Sequence, residues 1–150
     1  MAYTDTPRSA TLKTGTVIYG AGKLITMDST NNTVDLTAVA EVCIGVTAGD
    51  SSRTSASALQ TAAGATVSYY PLGGVHMIQS AASLTYTLGQ IVYATASGLA
   101  TNSSGSSVKK IGVYVGNGEA SAALGANGAG DTTNTEGTLI AVNTTVHEIA

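Results

Sequence analysis

The sequence contains no tryptophan and no phenylalanine, and tyrosine supplies all seven of its aromatic residues. It has one cysteine, so an intrachain disulfide is excluded. This residue, Cys43, stands in an apolar run beside Val42 and Ile44, and we expect a buried, unreactive thiol. The core must therefore be built from aliphatic residues and tyrosine. Because small side chains bury little area each, we expect the core to gain from self-association or from docking on a larger surface.

Charge is also scarce, since only 10% of the residues are charged and the formal net charge is −3. An ordinary domain has about a quarter of its residues charged. Of the six basic residues, only Lys109 and Lys110 are adjacent. Proteins that bind nucleic acid need clustered lysine and arginine to neutralise phosphates. We therefore expect no nucleic-acid partner.

Long apolar runs are missing as well. No stretch approaches the roughly 20 apolar residues of a membrane-spanning helix. Residues 1–13 contain no apolar segment like that of a secretory signal peptide. The sequence thus predicts no membrane association, and synthesis in a host cytoplasm.

What the sequence does contain is short runs of β-forming residues separated by glycine, serine, threonine and asparagine. This pattern predicts an all-β protein, a small sandwich or one or two barrel-like lobes of short antiparallel strands, with little or no helix. Residues 54–63 are the one stretch that could form a short helix, and a loop is equally plausible there. Residues 1–13 are predicted to be an extended N-terminal arm, residues 14–150 a single all-β domain, and residues 116–136 a long Gly/Ala loop.

Several segments occur twice in similar form, which predicts an internal duplication over about 15–78 and 89–149. The alternatives are one undivided domain, or two similar β-lobes joined near residues 80–88. Strands are expected to persist between copies while loops differ. The matched segments are Gly15–Tyr19 with Gly89–Tyr93, Gly22–Thr26 with Gly98–Thr101, Ile44–Thr47 with Ile111–Tyr114, Gly64–Tyr69 with Glu136–Ala141, and Val75–Ile78 with Val146–Ile149.

No motif of known chemistry is complete. His76 and His147 stand at matched positions of the repeat, but further His, Cys or carboxylate ligands at a spacing suited to a metal site do not lie nearby in sequence. Serine is abundant, yet the nucleophile-elbow pattern GxSxG does not occur. The oxygen-rich segment Asp131–Glu136 departs from the spacing of an EF-hand calcium loop. We therefore predict no catalytic residues, no metal site and no cofactor, and hence a protein that is not an enzyme.

The order of four motifs resembles the capsid cement, or head decoration, proteins of tailed bacteriophages. In that family a Gly-x-Val-Val-Tyr strand, a Gly-x-Leu-Thr turn, an Ile-Gly-Val strand and a closing Gly-x-Val-x-Val strand follow one another. The resemblance covers about residues 14–142, and the long loop at 116–136 departs from the shorter family members. The corresponding segments are Gly89–Tyr93, Gly98–Thr101, Ile111–Val113 and Gly137–Val142.

This resemblance implies a structural virion protein on the outer surface of the capsid. It implies a homotrimer that clamps neighbouring copies of the major capsid protein and stabilises the mature shell. Candidate contacts to the capsid or to trimer mates lie in the N-terminal arm and the long loop. They are Tyr3, Thr4, Asp5, Pro7, Arg8, Asn117, Asn127 and Asp131.

Three alternatives remain open. A carbohydrate-binding or adhesin-like β-module would need exposed aromatic platforms, for which Tyr69–Tyr70 is the only cluster. A tail or fibre subunit would polymerise by itself, whereas a cement protein forms discrete trimers. A small hydrolase would need an acid, a base and a nucleophile in an arrangement that the sequence does not display.

Overall fold

The structure is a computed structural model, and it describes residues 6–16, 18, 21–30, 32–48, 66–105, 107–116 and 139–148. Within these ranges the chain forms ten β-strands and one short 3-10 helix, Ala96–Gly98, which confirms the predicted all-β class. The predicted helix-or-loop at 54–63 and the loop after Gly116 lie outside the described residues. The strands are β1 (Arg8–Thr11), β2 (Leu24–Asp28), β3 (Thr33–Leu36), β4 (Gly45–Thr47), β5 (Thr66–Pro71), β6 (Val75–Gln79), β7 (Ile91–Thr95), β8 (Leu99–Thr101), β9 (Lys110–Gly116) and β10 (Leu139–Asn143).

The ten strands form two antiparallel five-stranded sheets with the same connectivity. The first has the order β1-β5-β4-β2-β3 and the second β6-β10-β9-β7-β8. We call them the first unit (residues 8–71) and the second unit (residues 75–143). In each unit the two outer strands meet through a parallel bridge, Leu12 to Val34 in the first and Ser80 to Ala100 in the second. Each sheet thereby closes into a small barrel-like unit.

The pairing register also agrees between the units at equivalent positions. Each strand pair of the first unit has a counterpart in the second, and the second unit adds register shifts between Val92 and Tyr93 and between Ala141 and Val142. The equivalent pairs are Leu24–Val46 and Ile91–Val113, Val46–Tyr70 and Val113–Asn143, Thr47–Tyr69 and Tyr114–Val142, and Thr11–Thr66 and Gln79–Leu139.

Hydrogen bonds at the entry to the central strands repeat in the same way. The Gly22 N–H donates to the Thr47 carbonyl, and the Gly89 N–H donates to the Tyr114 carbonyl, at 3.0 and 2.9 Å. Both glycines have left-handed backbones, with φ of +88° and +85°, which a residue with a Cβ adopts at a cost. The turns at Gly22 and Gly89 therefore share both the glycine and its left-handed backbone conformation.

The Ile-Gly-Val motif has a steric cause. A Cβ on Gly45 would lie 2.6 Å from the Tyr70 carbonyl oxygen, and one on Gly112 would meet the Asn143 carbonyl oxygen. These two carbonyls are equivalent in the two units. A neighbouring strand thus passes too close to the sheet at this point for any residue except glycine.

The structural equivalence corrects several of the predicted matches. Ile44–Thr47 does correspond to Ile111–Tyr114. However, the counterpart of Gly89–Tyr93 is Gly22–Thr26 and not Gly15–Tyr19. The reason is the pairing with the Ile-Gly-Val strand, in which Ile25 lies opposite Gly45 as Val92 lies opposite Gly112. Val75–Ile78 opens the second sheet and does not close the first. The change from one sheet to the other therefore falls at residues 72–74, and not near 80–88.

The predicted N-terminal arm is corrected too. From Arg8 onward the segment is strand β1, which pairs with β5. Its outward residues are exposed and polar, and this gave it the composition of an arm. Leu12 is nevertheless fully buried in the first core, and the Lys13 ammonium lies 3.1 Å from the Asp35 carboxylate.

Two clusters of buried side chains fill the units. The first contains Leu12, Ile18, Ile25, Val34 and Val67. In the second, tyrosine supplies the bulk that phenylalanine and tryptophan would otherwise provide. The rings of Tyr86 and Tyr114 stack with centroids 5.2 Å apart, and the buried Tyr86 hydroxyl hydrogen-bonds the Ser80 hydroxyl at 2.7 Å. Each buried phenol needs such a partner, so the polar contacts inside this core follow from its composition.

Candidate functional site

The described residues do not assemble a reactive centre. They contain no group of three or more His, Cys, Asp and Glu side chains that could hold a metal ion. Cys43 is 3% exposed, and its thiol contacts the Gly45 carbonyl. Burial raises the pKa of this thiol to about 11, so it stays protonated and is a poor nucleophile at neutral pH. The prediction that Cys43 is buried is confirmed.

The two histidines are not structurally equivalent, in contrast to their predicted match. His76 lies in β6, at the start of the second unit, whereas His147 follows β10. His147 contacts the Thr144 carbonyl through Nδ1 at 2.7 Å. His76 stacks on Tyr70 of the first unit, with ring centroids 6.0 Å apart. Each histidine is thus held by its own local contact.

A cleft of about 220 Å³ lies between the two units, beside this ring stack. Val46 and Tyr70 line it from the first unit, and Val75, His76 and Met77 from the second. Its wall is mainly apolar, and its titratable side chains are those of Tyr70 and His76, whose rings stack on each other. The cleft therefore marks the contact between the units, and the described residues that line it include no carboxylate or thiol.

The contact between the units is built from an apolar face of the first and the rim of the second. We define the first-unit face as Ala21, Leu24, Val46 and Ala48, and the second-unit rim as Met77, Gln79 and Gly98. The Leu24 backbone lies against Gly98, and beside it the buried Lys23 ammonium donates to the Ser97 carbonyl at 3.1 Å. Leu24 and Val46 belong to the core cluster of the second unit and are 0% and 2% exposed. The Gln79 N–H and side-chain amide donate to the carbonyls of Gly22 and Ala21, at 2.8 and 2.6 Å.

The equivalent surfaces on the other side of each unit are exposed. The counterpart of the first-unit face is the second-unit face, Leu88, Ile91, Val113 and Val115. In it Leu88 is 67% exposed, Ile91 41% and Val115 44%. The counterpart of the second-unit rim is the first-unit rim, Ser9, Thr11 and Asn32, which is exposed at all three residues.

The second-unit face is the candidate functional site. Exposed apolar side chains of this size, gathered on one face of a sheet, are typical of an interaction surface. Sequence reasoning missed it, because Leu24 and Ile91 stand in the same strand pattern and only the packing of the units distinguishes the buried residue from the exposed one.

Of the predicted contact residues, the structure describes Pro7 and Arg8. Both are exposed. Arg8 lies at a second cleft of about 380 Å³, formed with the connection Leu72–Gly74 and with Thr145 and His147. Tyr3, Thr4, Asp5, Asn117, Asn127 and Asp131 lie outside the described residues.

Tyr69 and Tyr70, the only aromatic pair considered as a sugar platform, are adjacent on β5 and therefore point to opposite faces. Tyr69 packs against the first core. Tyr70 stacks on His76 in the cleft between the units. The two rings do not form a shared platform.

No helix among the described residues is long and apolar enough to cross a membrane. Comparison with known proteins finds no family model and no curated protein that matches this chain.

Proposed function

We propose that this chain is a structural virion protein of a tailed bacteriophage. In this proposal it binds the outside of the capsid as a homotrimer, clamps neighbouring copies of the major capsid protein and stabilises the mature shell. It is not an enzyme and uses no cofactor. The observation that carries the proposal is an apolar face on a closed all-β chain, in which Leu88, Ile91 and Val115 are exposed and Val113 is half-buried, together with the resemblance of its motifs to capsid cement proteins.

The physical mechanism is linkage. A protein that binds the assembled shell and not its dissociated subunits stabilises the shell by RT ln(1 + [L]/Kd), which is about 2.7 kcal/mol per site at a free concentration of 100 Kd. An oligomer that docks at several points multiplies weak contacts, because the second docking event is intramolecular. Neither effect requires a catalytic group.

The test uses heads of the parent phage assembled without this protein. Purified protein is added, the heads are sedimented, and the bound copies per capsid and the temperature of thermal disruption are measured. We expect saturable binding at a fixed stoichiometry and a higher disruption temperature. Absence of binding at micromolar protein would refute the proposal.

Arg8 gives a sharper test, because it is an exposed cation at the start of β1. Arg8→Glu should lower capsid occupancy, whereas Lys109→Glu makes the same charge change elsewhere and should leave occupancy unchanged. Equal occupancy for both variants would remove Arg8 from the contact.

The length of an N-terminal deletion determines whether the first unit can still fold. Deleting residues 2–12 removes β1 and the fully buried Leu12, which should cost about 2–5 kcal/mol for the leucine alone and unfold the unit. Deleting residues 2–6 leaves both in place. We therefore expect the shorter deletion to keep the circular dichroism spectrum of the full chain and to lose capsid binding. Full occupancy by this variant would exclude residues 2–6 as contacts.

A further inference from the structure

The contact inside the chain uses one surface of each unit and leaves the equivalent surface of the other unit unused. The first-unit face is covered by the second-unit rim. The second-unit face and the first-unit rim, which are the counterparts of these two surfaces, are both exposed. This asymmetry is what a head-to-tail arrangement of two equivalent units produces.

The contrast in burial is sharp at equivalent positions. Leu24 is 0% exposed, and its counterpart Ile91 is 41% exposed. On the rims, Gln79 is 8% exposed, and its counterpart Thr11 is exposed. Because strand order, register and turn hydrogen bonds agree between the units, these differences come from the neighbour and not from the fold of the unit itself.

We propose that the second-unit face of one copy binds the first-unit rim of another copy, in the manner in which the two units already pack within the chain. This inference concerns self-association in solution and holds whether or not the protein binds a capsid. The second-unit face and the first-unit rim are the counterparts of the first-unit face and the second-unit rim, which already pack on each other within the chain. The partner they best match is therefore a second copy of this chain. The seven residues that define the two surfaces are uncharged. The nearest charged residue is Arg8, the counterpart of His76, which the same packing would place beside Asn143, the counterpart of Tyr70.

One position shows where the contact between copies departs from the contact within the chain. Gly98 of the second-unit rim sits so close to the first unit that a Cβ there would lie 2.6 Å from the Leu24 carbonyl oxygen. Its counterpart in the first-unit rim is Asn32, which also has a left-handed backbone, with φ of +58°. The asparagine side chain must therefore hold the two copies further apart at this turn.

The test combines variants on the two surfaces and reads the molar mass by light scattering during size-exclusion chromatography. Ile91→Asp places a carboxylate on the second-unit face, and Thr11→Asp places one on the first-unit rim. We expect the unmodified protein to elute at a multiple of 14.8 kDa and each variant at 14.8 kDa. Burial of an unpaired carboxylate should weaken association by a factor on the order of 100 or more. Val146→Asp, at a residue that is 66% exposed and lies on neither surface, is the matched control and should not dissociate.

Mixing the two variants tests the head-to-tail arrangement directly. The Thr11→Asp protein keeps an intact second-unit face, and the Ile91→Asp protein keeps an intact first-unit rim. Their mixture should form a heterodimer of twice 14.8 kDa and nothing larger. Formation of this heterodimer also shows that both variants are folded. Leu88→Asp, on the turn before β7, replaces Ile91→Asp if the strand substitution unfolds the protein.

Three results would overturn the proposal. The first is an unmodified protein that stays monomeric up to about 100 μM, far above the working range of a specific homo-oligomer. The second is dissociation by Ile91→Asp with no effect of Thr11→Asp, which would indicate that two second-unit faces pack on each other. The third is a mixture of two folded variants that remains monomeric.

Discussion

The glycine of the Ile-Gly-Val strand offers the most direct measurement of the repeated architecture. In Gly112→Ala the new methyl group would meet the Asn143 carbonyl oxygen and approach the Val142 side chain to 2.9 Å. The φ angle of Gly112 lies outside the left-handed region, so alanine meets no backbone penalty in the folded state and steric crowding is the destabilising effect that the substitution introduces. Both contacts involve atoms of the adjacent strand, which can move away only by disturbing the sheet.

Overpacking of this kind costs about 1–3 kcal/mol. For a chain of this length, 1 kcal/mol lowers the melting temperature by roughly 2–4 °C, so we expect a decrease of roughly 2–12 °C. The assay is thermal unfolding followed by circular dichroism. Gly105→Ala is the control, because a Cβ at Gly105 would have no atom within 4 Å. Its melting temperature should equal or slightly exceed that of the unmodified protein, because alanine lowers the entropy of the unfolded chain, an effect of about 0.4–1 kcal/mol that Gly112→Ala shares.

The equivalent substitution in the first unit extends the test. A Cβ on Gly45 would lie 2.5 Å from the Tyr69 ring and 2.6 Å from the Tyr70 carbonyl oxygen. Gly45→Ala should therefore destabilise the protein to a similar degree as Gly112→Ala. If either variant melted with the Gly105→Ala control, the close approach of the strands would be wrong, and a large effect at only one position would refute the equivalence of the two units.

Three further predictions concern single side chains. The pKa of Asp35 lies below its usual value of 3.8, because hydrogen bonds from Thr16, Lys13 and the Leu36 N–H outweigh the opposing effect of partial burial. The stabilisation is present above pH 3.8 and disappears as the pH falls through the lower folded-state pKa. The melting temperatures of the unmodified protein and Asp35→Asn should therefore differ at pH 7 and converge below pH 3.8. A constant difference down to about pH 2 would contradict this. Cys43 should resist iodoacetamide at pH 8 in the folded protein and react after denaturation, and rapid labelling of folded protein would show that the thiol is accessible. Asn32→Gly should tighten self-association, because it restores the residue type found at Gly98 in the contact within the chain; unchanged sedimentation would indicate that this turn lies outside the contact between copies.

The fold class could be predicted from sequence because strand formers and turn glycines are local signals. The alignment of the two copies of the repeat was harder to predict from sequence. Gly15 and Gly22 both have φ near +90° and both precede β-forming residues, so each resembles the segment after Gly89. The pairing of Ile25 with Gly45, which selects Gly22, is a long-range contact. Local similarity could not choose between the two.

The N-terminal strand and the candidate site were hidden for different reasons. Strand β1 is exposed on one side and, with the residue that follows it, contributes only Ala10 and Leu12 to the core, so the composition of this segment is that of a polar arm. The exposed second-unit face has the same pattern as its buried counterpart. Whether Leu24 or Ile91 is covered depends on where the other unit packs, and no property of either segment alone carries that information.

The parallel bridges that close the two sheets have a consequence for solubility. A strand at the edge of an open sheet presents unpaired backbone groups to which another chain can add, and many β-proteins discourage this with charged residues at the edge. This chain has few charges to use, with 10% of its residues charged. In both units the outer strands instead approach each other, through Leu12 and Val34 or through Ser80 and Ala100. Closure of the sheets therefore prevents the fibril-like addition of strands that electrostatic repulsion prevents in other β-proteins. As a result, a weakly charged protein can be held at high local concentration without strand exchange between molecules.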